Sequence, residues 1–108
     1  MADSFSKREK GEERKYEMDQ QLLFRAENRR NKLLGLWLAE AFGLTGGDAD
    51  NYAKEVVASD FDEPGIEDVI RKVMGDIKER SASITEAQVR SKMQELESIA
   101  LDQVKNEA

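Results

Sequence analysis

The chain has 108 residues and a net charge of −6 at pH 7, with 17 basic side chains against 23 acidic ones. It contains neither His nor Cys, which excludes disulfides, zinc sites built on these ligands, and catalysis by a Cys or a Ser–His pair. The length fits a single domain, and the acidic balance argues against general nucleic-acid binding, which needs a basic surface.

Residues 1–17 form an N-terminal arm that is rich in charge and poor in apolar side chains. They hold five basic and five acidic residues, and like charges recur at the i, i+4 spacing that destabilises a helix, as in Glu9 and Glu13. Gly11 costs about a further 1 kcal/mol relative to Ala in a helix interior. We therefore predict that the arm is mobile, and disordered or weakly helical, when the protein is alone.

The aromatic residues of the arm indicate a use for it. In a helix, Phe5 and Tyr16 share a face, because a separation of eleven residues is almost three whole turns. That spacing is typical of a helix that binds in a groove through two anchors. The arm is thus expected to fold on binding to a partner. The alternative is a solvated tail with no role.

The remaining residues, 18–108, predict four amphipathic helices. Apolar residues recur at spacings of three and four, over roughly residues 18–42, 45–60, 65–81 and 85–106. Short connections imply antiparallel neighbours, so the predicted fold class is all-α, a small antiparallel four-helix bundle with a partly disordered N-terminal arm. In the first helix the apolar residues expected to face the core are Leu22, Leu23, Ala26, Leu33, Leu34, Trp37, Leu38 and Ala41.

Helix ends are marked by local signals. Gly43 follows the last apolar residue of the first helix, where a glycine commonly stops a helix. Thr45 with Asp48 and Thr85 with Gln88 are spaced as capping boxes, in which the two residues satisfy each other's backbone N–H groups.

A basic stripe is predicted on the first helix. Arg25, Arg29 and Lys32 stand at i, i+4 and i+7, and Arg30 lies beside them. Such a stripe can bind a phosphate, a nucleotide or an acidic partner surface. The alternative is a solvated helix face that balances the acidic remainder of the chain, in which residues 33–108 hold eight basic and sixteen acidic side chains.

The sequence does not support a calcium site, an enzyme site or a membrane-spanning helix. Residues 60–65 (DFDEPG) resemble the start of a calcium loop, but Arg71 stands at the twelfth position, where a bidentate Glu is needed. An enzyme that used Asp60 and Asp62 would lack any partner motif, so no catalytic residue, metal ligand or cofactor is predicted. The longest apolar run, residues 33–39, falls far short of the roughly 20 residues that span a bilayer. We expect a soluble, cytoplasmic protein.

Several segments together resemble one known family. Residues 24–37 (FRAENRRNKLLGLW) are similar to the signature of the alphaproteobacterial ATP synthase inhibitor, the zeta subunit, a family once catalogued as a domain of unknown function. The similarity covers essentially the whole chain at matching spacing. It continues through residues 44–46 (LTG), 52–57 (YAKEVV), 59–65 (SDFDEPG), 67–69 (EDV) and 71–72 (RK).

The resemblance implies a four-helix bundle whose arm inhibits ATP hydrolysis by the F-type ATP synthase. In that family the arm inserts as a helix at an α/β catalytic interface and reaches toward the central rotor, which blocks the hydrolytic direction of rotation. The implied partners are the α and β subunits and the rotor, with the protein peripheral to the inner membrane when bound and monomeric when free. The arm residues expected to contact the partner are Phe5, Arg8, Glu9, Glu13, Arg14, Lys15 and Tyr16.

The arm also departs from the family pattern. Gly11 stands where a better helix former is expected, Arg14 where a small residue is common, and Glu17 and Met18 replace a small and a polar residue. These changes weaken the helix that the mechanism requires, so we expect weak inhibition. The alternative function is an adenine-nucleotide sensor, in which the basic stripe binds ATP or ADP weakly.

Overall fold

A computed structural model describes the backbone of residues 2–61 and 65–107, and the side chains of residues 20–60 and 65–107. No strand occurs in the described backbone, and the predicted all-α four-helix bundle is confirmed. The elements are α1 (Ala2–Ala41), α2 (Gly46–Ala58), a 3-10 turn (Ser59–Phe61), α3 (Glu67–Glu79) and α4 (Glu86–Glu107).

The first helix begins earlier than its apolar pattern indicates. The pattern predicts a start near residue 18, whereas α1 begins at Ala2 and includes the arm. The side chains of residues 1–19 lie outside the described ones, so the disorder of the arm in the free protein stays a prediction. The other helices begin and end within two residues of the bounds that the sequence predicts.

The core lies where α1 meets the other helices. Helix α1 packs along both α2 and α4, and α3 closes the bundle. Burial of these apolar faces is the main stabilising contribution, at roughly 25 cal/mol for each Å² of apolar surface removed from water. Fully buried apolar side chains include Leu34 and Leu38 of α1, Val56 of α2, Val69 and Val73 of α3, and Val89 and Val104 of α4.

A glycine sets the distance between α1 and α2. A Cβ atom built on Gly35 would lie 2.6 Å from the Cα of Ala53 and 3.2 Å from a methyl group of Val56. No carbon side chain fits against backbone at that distance, so the two helices approach this closely only because residue 35 has no Cβ. A glycine inside a helix costs about 1 kcal/mol relative to Ala, and the close packing offsets that cost.

The structure confirms one predicted capping box and not the other. The N–H of Thr85 donates to Gln88 Oε1 at 2.9 Å, and the N–H of Gln88 donates to Thr85 Oγ1 at 3.1 Å. Thr45 is the N-cap residue of α2, but its side chain makes no capping hydrogen bond. The N–H of Asp48 donates instead to the carbonyl oxygen of Thr45 at 3.2 Å, so the predicted box at this end was wrong.

The end of α1 follows from Gly43. This residue has a φ of +79°, in the left-handed region that favours glycine. Its N–H donates to the carbonyl of Glu40 at 3.1 Å, and the N–H of Leu44 donates to that of Ala39 at 2.8 Å. These two bonds satisfy carbonyl groups that the helix itself leaves free.

Two of the apolar residues expected in the core are instead exposed. Leu23 is 52% exposed, because α4 ends at Glu107, whose carboxylate contacts Arg25, and the bundle stops close to this point. Ala41, in the last turn of α1, is also exposed. Trp37 packs against the core as predicted, although it is only partly buried and Lys92 Nζ lies 5.5 Å from the centre of its ring.

Candidate functional site

The predicted contact residues of the arm all belong to the amino-terminal half of α1. Their side chains are outside the described part of the structure, so their grouping into a binding surface stays a prediction. They are Phe5, Arg8, Glu9, Glu13, Arg14, Lys15 and Tyr16.

Three members of the predicted basic stripe line one cleft of about 340 Å³. They are Arg25, Arg29 and Lys32, and they face Val57 of α2 and Val104 of α4 across the cleft. The structure therefore brings together the three residues that stand at i, i+4 and i+7 in the sequence. Asn28 and Glu107 complete the lining.

The carboxyl end of α4 engages two of these cations. Arg29 donates to Gln103 Oε1 at 2.9 Å and lies 2.7 Å from a carboxylate oxygen of Glu107. Arg25 lies 3.7 Å from the same carboxylate. Within the described part of the chain Lys32 forms no ion pair, and it also lines a second cleft, of about 440 Å³, together with Lys54. The positive charge of the cleft is thus partly balanced by α4.

Arg30 does not belong to this cleft. It is buried, with only 5% of its surface exposed, and its Nε donates to Asn31 Oδ1 at 3.1 Å. Asn31 is fully buried and donates from Nδ2 to Asp60 Oδ2 at 2.9 Å, while a guanidinium nitrogen of Arg30 lies 3.8 Å from the same oxygen. The three residues, which we call the buried triad, tie α1 to the 3-10 turn that follows α2.

Sequence reasoning missed the buried triad. It placed Arg30 beside a surface stripe and considered Asp60 in a calcium loop or as an enzyme carboxylate. The usable signal was Asn31, which stands three residues before Leu34 and seven before Leu38 and therefore lies on the buried face of the helix. A polar residue in that position requires buried partners, and Asp60 supplies one. Asp62 lies outside the described residues.

A second polar cluster joins α2 to α3. The hydroxyl of the buried Tyr52 donates to Asp76 Oδ2 at 2.8 Å. Lys72 Nζ lies 3.0 Å from Asp76 and 3.2 Å from Glu55. Burial raises the pKa of Tyr52 far above its ordinary value of 10.0, and the carboxylates of Asp76 and Glu55 raise it further. Partial burial by itself lowers the pKa of Lys72, but hydrogen bonds to the same two carboxylates give a net increase.

The described residues contain no cluster of acidic side chains that could hold a metal ion. No helix among them is long and apolar enough to cross a membrane. The site that the structure describes is the basic cleft of Arg25, Arg29 and Lys32, whose positive charge is partly balanced by Glu107 of α4.

A family model described as ATPase inhibitor subunit zeta matches residues 1–103. The chain belongs to this family. The match includes the whole arm and nearly all of the bundle, and it confirms the resemblance carried by residues 24–37 and the later segments. No curated protein matches the chain significantly.

A related protein structure solved by solution NMR shares the fold. It is 49% identical in sequence and superposes with a TM-score of 0.70. The matched region covers 79% of this chain and 96% of the other protein.

Proposed function

We propose that this protein is a regulatory inhibitor of ATP hydrolysis by the F-type ATP synthase, with the N-terminal arm as its working part. The observation that carries this proposal is the family match, because it spans residues 1–103 and so includes the arm as well as the bundle. In the proposed complex the arm inserts as a helix at an α/β catalytic interface and reaches toward the central rotor. Rotation in the hydrolytic direction is then blocked.

The continuity of α1 supports this mechanism. Starting a helix is unfavourable, because the first hydrogen bond requires several residues to be ordered, whereas extending an existing helix adds one bond for each residue ordered. The bundle already holds α1 by packing from Ala26, which is 5% exposed, through Leu38, which is fully buried. An arm that extends this helix on binding therefore needs no nucleation step of its own.

The bundle also contributes by holding the arm close to its target. A docked bundle keeps a tethered segment at high effective concentration, so the arm can bind more tightly than it would as a free peptide. In this proposal Phe5 and Tyr16 are the apolar anchors of the arm. Its polar contacts are Arg8, Glu9, Glu13, Arg14 and Lys15.

The direct test is ATP hydrolysis by the isolated catalytic head from the same organism. The intact protein, a version that begins at Met18, and the full-length double variant Phe5→Ala/Tyr16→Ala are added in turn. We expect the intact protein to inhibit and the truncated version not to, and we expect the double variant to require a higher concentration. Ile99→Ala is the matched control, since it removes an exposed apolar side chain from α4.

The three proteins separate the roles of arm and bundle. If neither the intact protein nor the truncated version inhibits, but both bind the head, the bundle is a docking module and the arm has no inhibitory role. If neither binds, the proposed function is wrong for this protein.

The cleft of Arg25, Arg29 and Lys32 favours adenine-nucleotide sensing as a second candidate function. Three cations beside the partly exposed side chain of Val57 offer contacts for phosphates and for a base. Titration with ATP and with ADP should then shift the amide resonances of residues 25–32. Arg29→Gln should remove the shifts, whereas Lys78→Gln, a change at an exposed position of α3, should not. If the amide resonances of residues 25–32 do not shift, the cleft does not sense nucleotides and only the inhibitory function remains.

A further inference from the structure

The buried face of α1 continues beyond the end of the bundle. Leu23 stands seven residues before Arg30 and eleven before Leu34, and both separations return to nearly the same side of a helix. Phe24 stands in the same relation to Asn31, seven residues later. Because Arg30, Asn31 and Leu34 are all buried, Leu23 and Phe24 occupy the amino-terminal extension of the face that packs in the bundle.

These two side chains are nevertheless exposed. Leu23 is 52% exposed and Phe24 is 59% exposed, the highest values among the large apolar side chains that the structure describes. Phe24 also lines a shallow cleft of about 360 Å³ with Gln20, Gln21 and Arg25. We call Leu23 and Phe24 the junction patch, because they lie between the arm and the packed part of α1.

The junction patch lies in phase with the aromatic residues of the arm. Position 23 follows position 5 by eighteen residues, which is about five whole turns of a continuous helix. It follows position 16 by seven residues, which is about two turns and a rise of about 10 Å. A partner surface that covers position 16 on the continuous helix α1 would therefore also cover Leu23, unless that surface ended within about 10 Å of position 16.

We propose that the junction patch is a docking surface for the catalytic head of the ATP synthase, placed against an apolar rim at the mouth of the α/β interface that receives the arm. The proposal rests on the proposed function and extends the contact from the arm to the edge of the bundle. On a continuous helix the spacing of positions 5, 16 and 23 predicts one apolar row, and Phe24 lies next to position 23 at the edge of the bundle. Interface energy is concentrated in a few such apolar anchors that a partner removes from water.

The test compares full-length variants for binding to the isolated catalytic head and for inhibition of its ATP hydrolysis. We expect Leu23→Ala/Phe24→Ala to weaken affinity at least about tenfold, the loss typical of removing interface anchors. Maximal inhibition at saturation should remain, because the arm is intact. Ile99→Ala is the matched control, since Ile99 is 39% exposed on a different helix, and its affinity should stay within about twofold of the unaltered protein. Both variants should stay folded, with melting temperatures within about 5 °C of the unaltered protein, because the replaced side chains are partly exposed.

The outcomes separate this inference from the function on which it rests. If the unaltered protein inhibits and the double variant binds equally well, the junction patch is not part of the interface and the inhibitory function stands. If the unaltered protein does not bind the head, both proposals fail together. Sedimentation measures self-association in parallel. A dimer that disappears in the double variant, with affinity for the head unchanged, would assign the patch to a second copy of the chain and overturn the inference.

Discussion

The two halves of α1 differ in what holds them. Residues 26–41 carry apolar side chains at helical spacing and are fixed by contacts with α2 and α4. Residues 2–17 belong to the same helix but carry ten charged side chains and a glycine. Helix continuity and helix stability are therefore separate properties in α1. Packing stabilises one half, and a partner must stabilise the other. Substitutions that destabilise the packed half, or that stabilise a helix in the arm, test this difference between the two halves of α1.

The largest expected effect comes from breaking the buried triad. Asp60→Ala should destabilise the protein by about 3 kcal/mol, because it leaves the buried Arg30 and Asn31 without their carboxylate partner. The measurement is urea unfolding at neutral pH. Asp102→Ala, which removes an exposed carboxylate on α4, should change stability by less than about 0.5 kcal/mol. Equal effects of the two substitutions would mean that the triad does not help to hold α1.

The glycine between α1 and α2 offers a sharper comparison. Gly35→Ala should cost about 2 kcal/mol, because the new methyl group meets the backbone of Ala53 at 2.6 Å and the helices must separate. Gly75→Ala in α3 is the matched control, since nothing lies within 4 Å of a Cβ there. It should stabilise the protein by up to about 1 kcal/mol through helix propensity alone. Thermal unfolding of both variants checks that the two substitutions change stability in opposite directions. A Gly35→Ala substitution that stabilised the protein would contradict the close packing.

The contribution of the contact between α2 and α3 to the stability of the protein should depend on pH in the alkaline range. The pKa of Tyr52 is raised by burial and by Asp76, so its contribution to stability is complete below the unfolded value near 10. It is lost as the pH rises from there toward the folded value, by at most about 1.4 kcal/mol per pH unit. The pKa of Lys72 is also raised, so the contribution of Lys72 to stability is likewise lost as the pH rises above 10.5.

Denaturant unfolding at several pH values between 8 and about 11.5 tests this dependence. Tyr52→Phe should remove the tyrosine contribution and leave that of Lys72, so the variant should lose less stability over the same interval. An unchanged pH dependence in Tyr52→Phe would show that its hydroxyl does not titrate with unfolding.

The smallest expected effect lies in the arm. Gly11→Ala should strengthen inhibition of ATP hydrolysis by up to about fivefold, since a helix interior favours Ala by about 1 kcal/mol. The control is Gly75→Ala, which makes the same change in the bundle and should leave inhibition unaltered. If inhibition by Gly11→Ala does not strengthen, helix formation in the arm is not what limits its binding.

Local signals were the most readable part of the sequence. The Thr85 capping box and the stop at Gly43 depend on residues close together in the chain, and the structure confirms both. The spacing of Arg25, Arg29 and Lys32 likewise placed them along one side of the first helix, although the cleft that they line is completed by α2 and α4. Such features need only the geometry of a single helix, which the sequence specifies.

One local prediction failed, the capping box at Thr45, whose side chain makes no capping hydrogen bond. The other errors arose where a second element decides the outcome. Helical spacing gives the face on which Leu23 lies but not the point at which α4 ends, so an exposed residue was expected in the core. Helical spacing also cannot show that the 3-10 turn places Asp60 beside Arg30 and Asn31. Sequence reasoning could therefore predict the fold, but not which charged residues are buried and which apolar ones remain available to a partner.

Amide hydrogen exchange of the full-length protein, alone and bound to the catalytic head, tests the division of α1 most directly. We predict that the amides of residues 26–41 are protected in both states, whereas those of residues 2–17 exchange fast in the free protein and become protected in the complex. Arm amides that are equally protected in the free protein, or that stay unprotected in the inhibited complex, would contradict an arm that is stabilised as a helix by its partner.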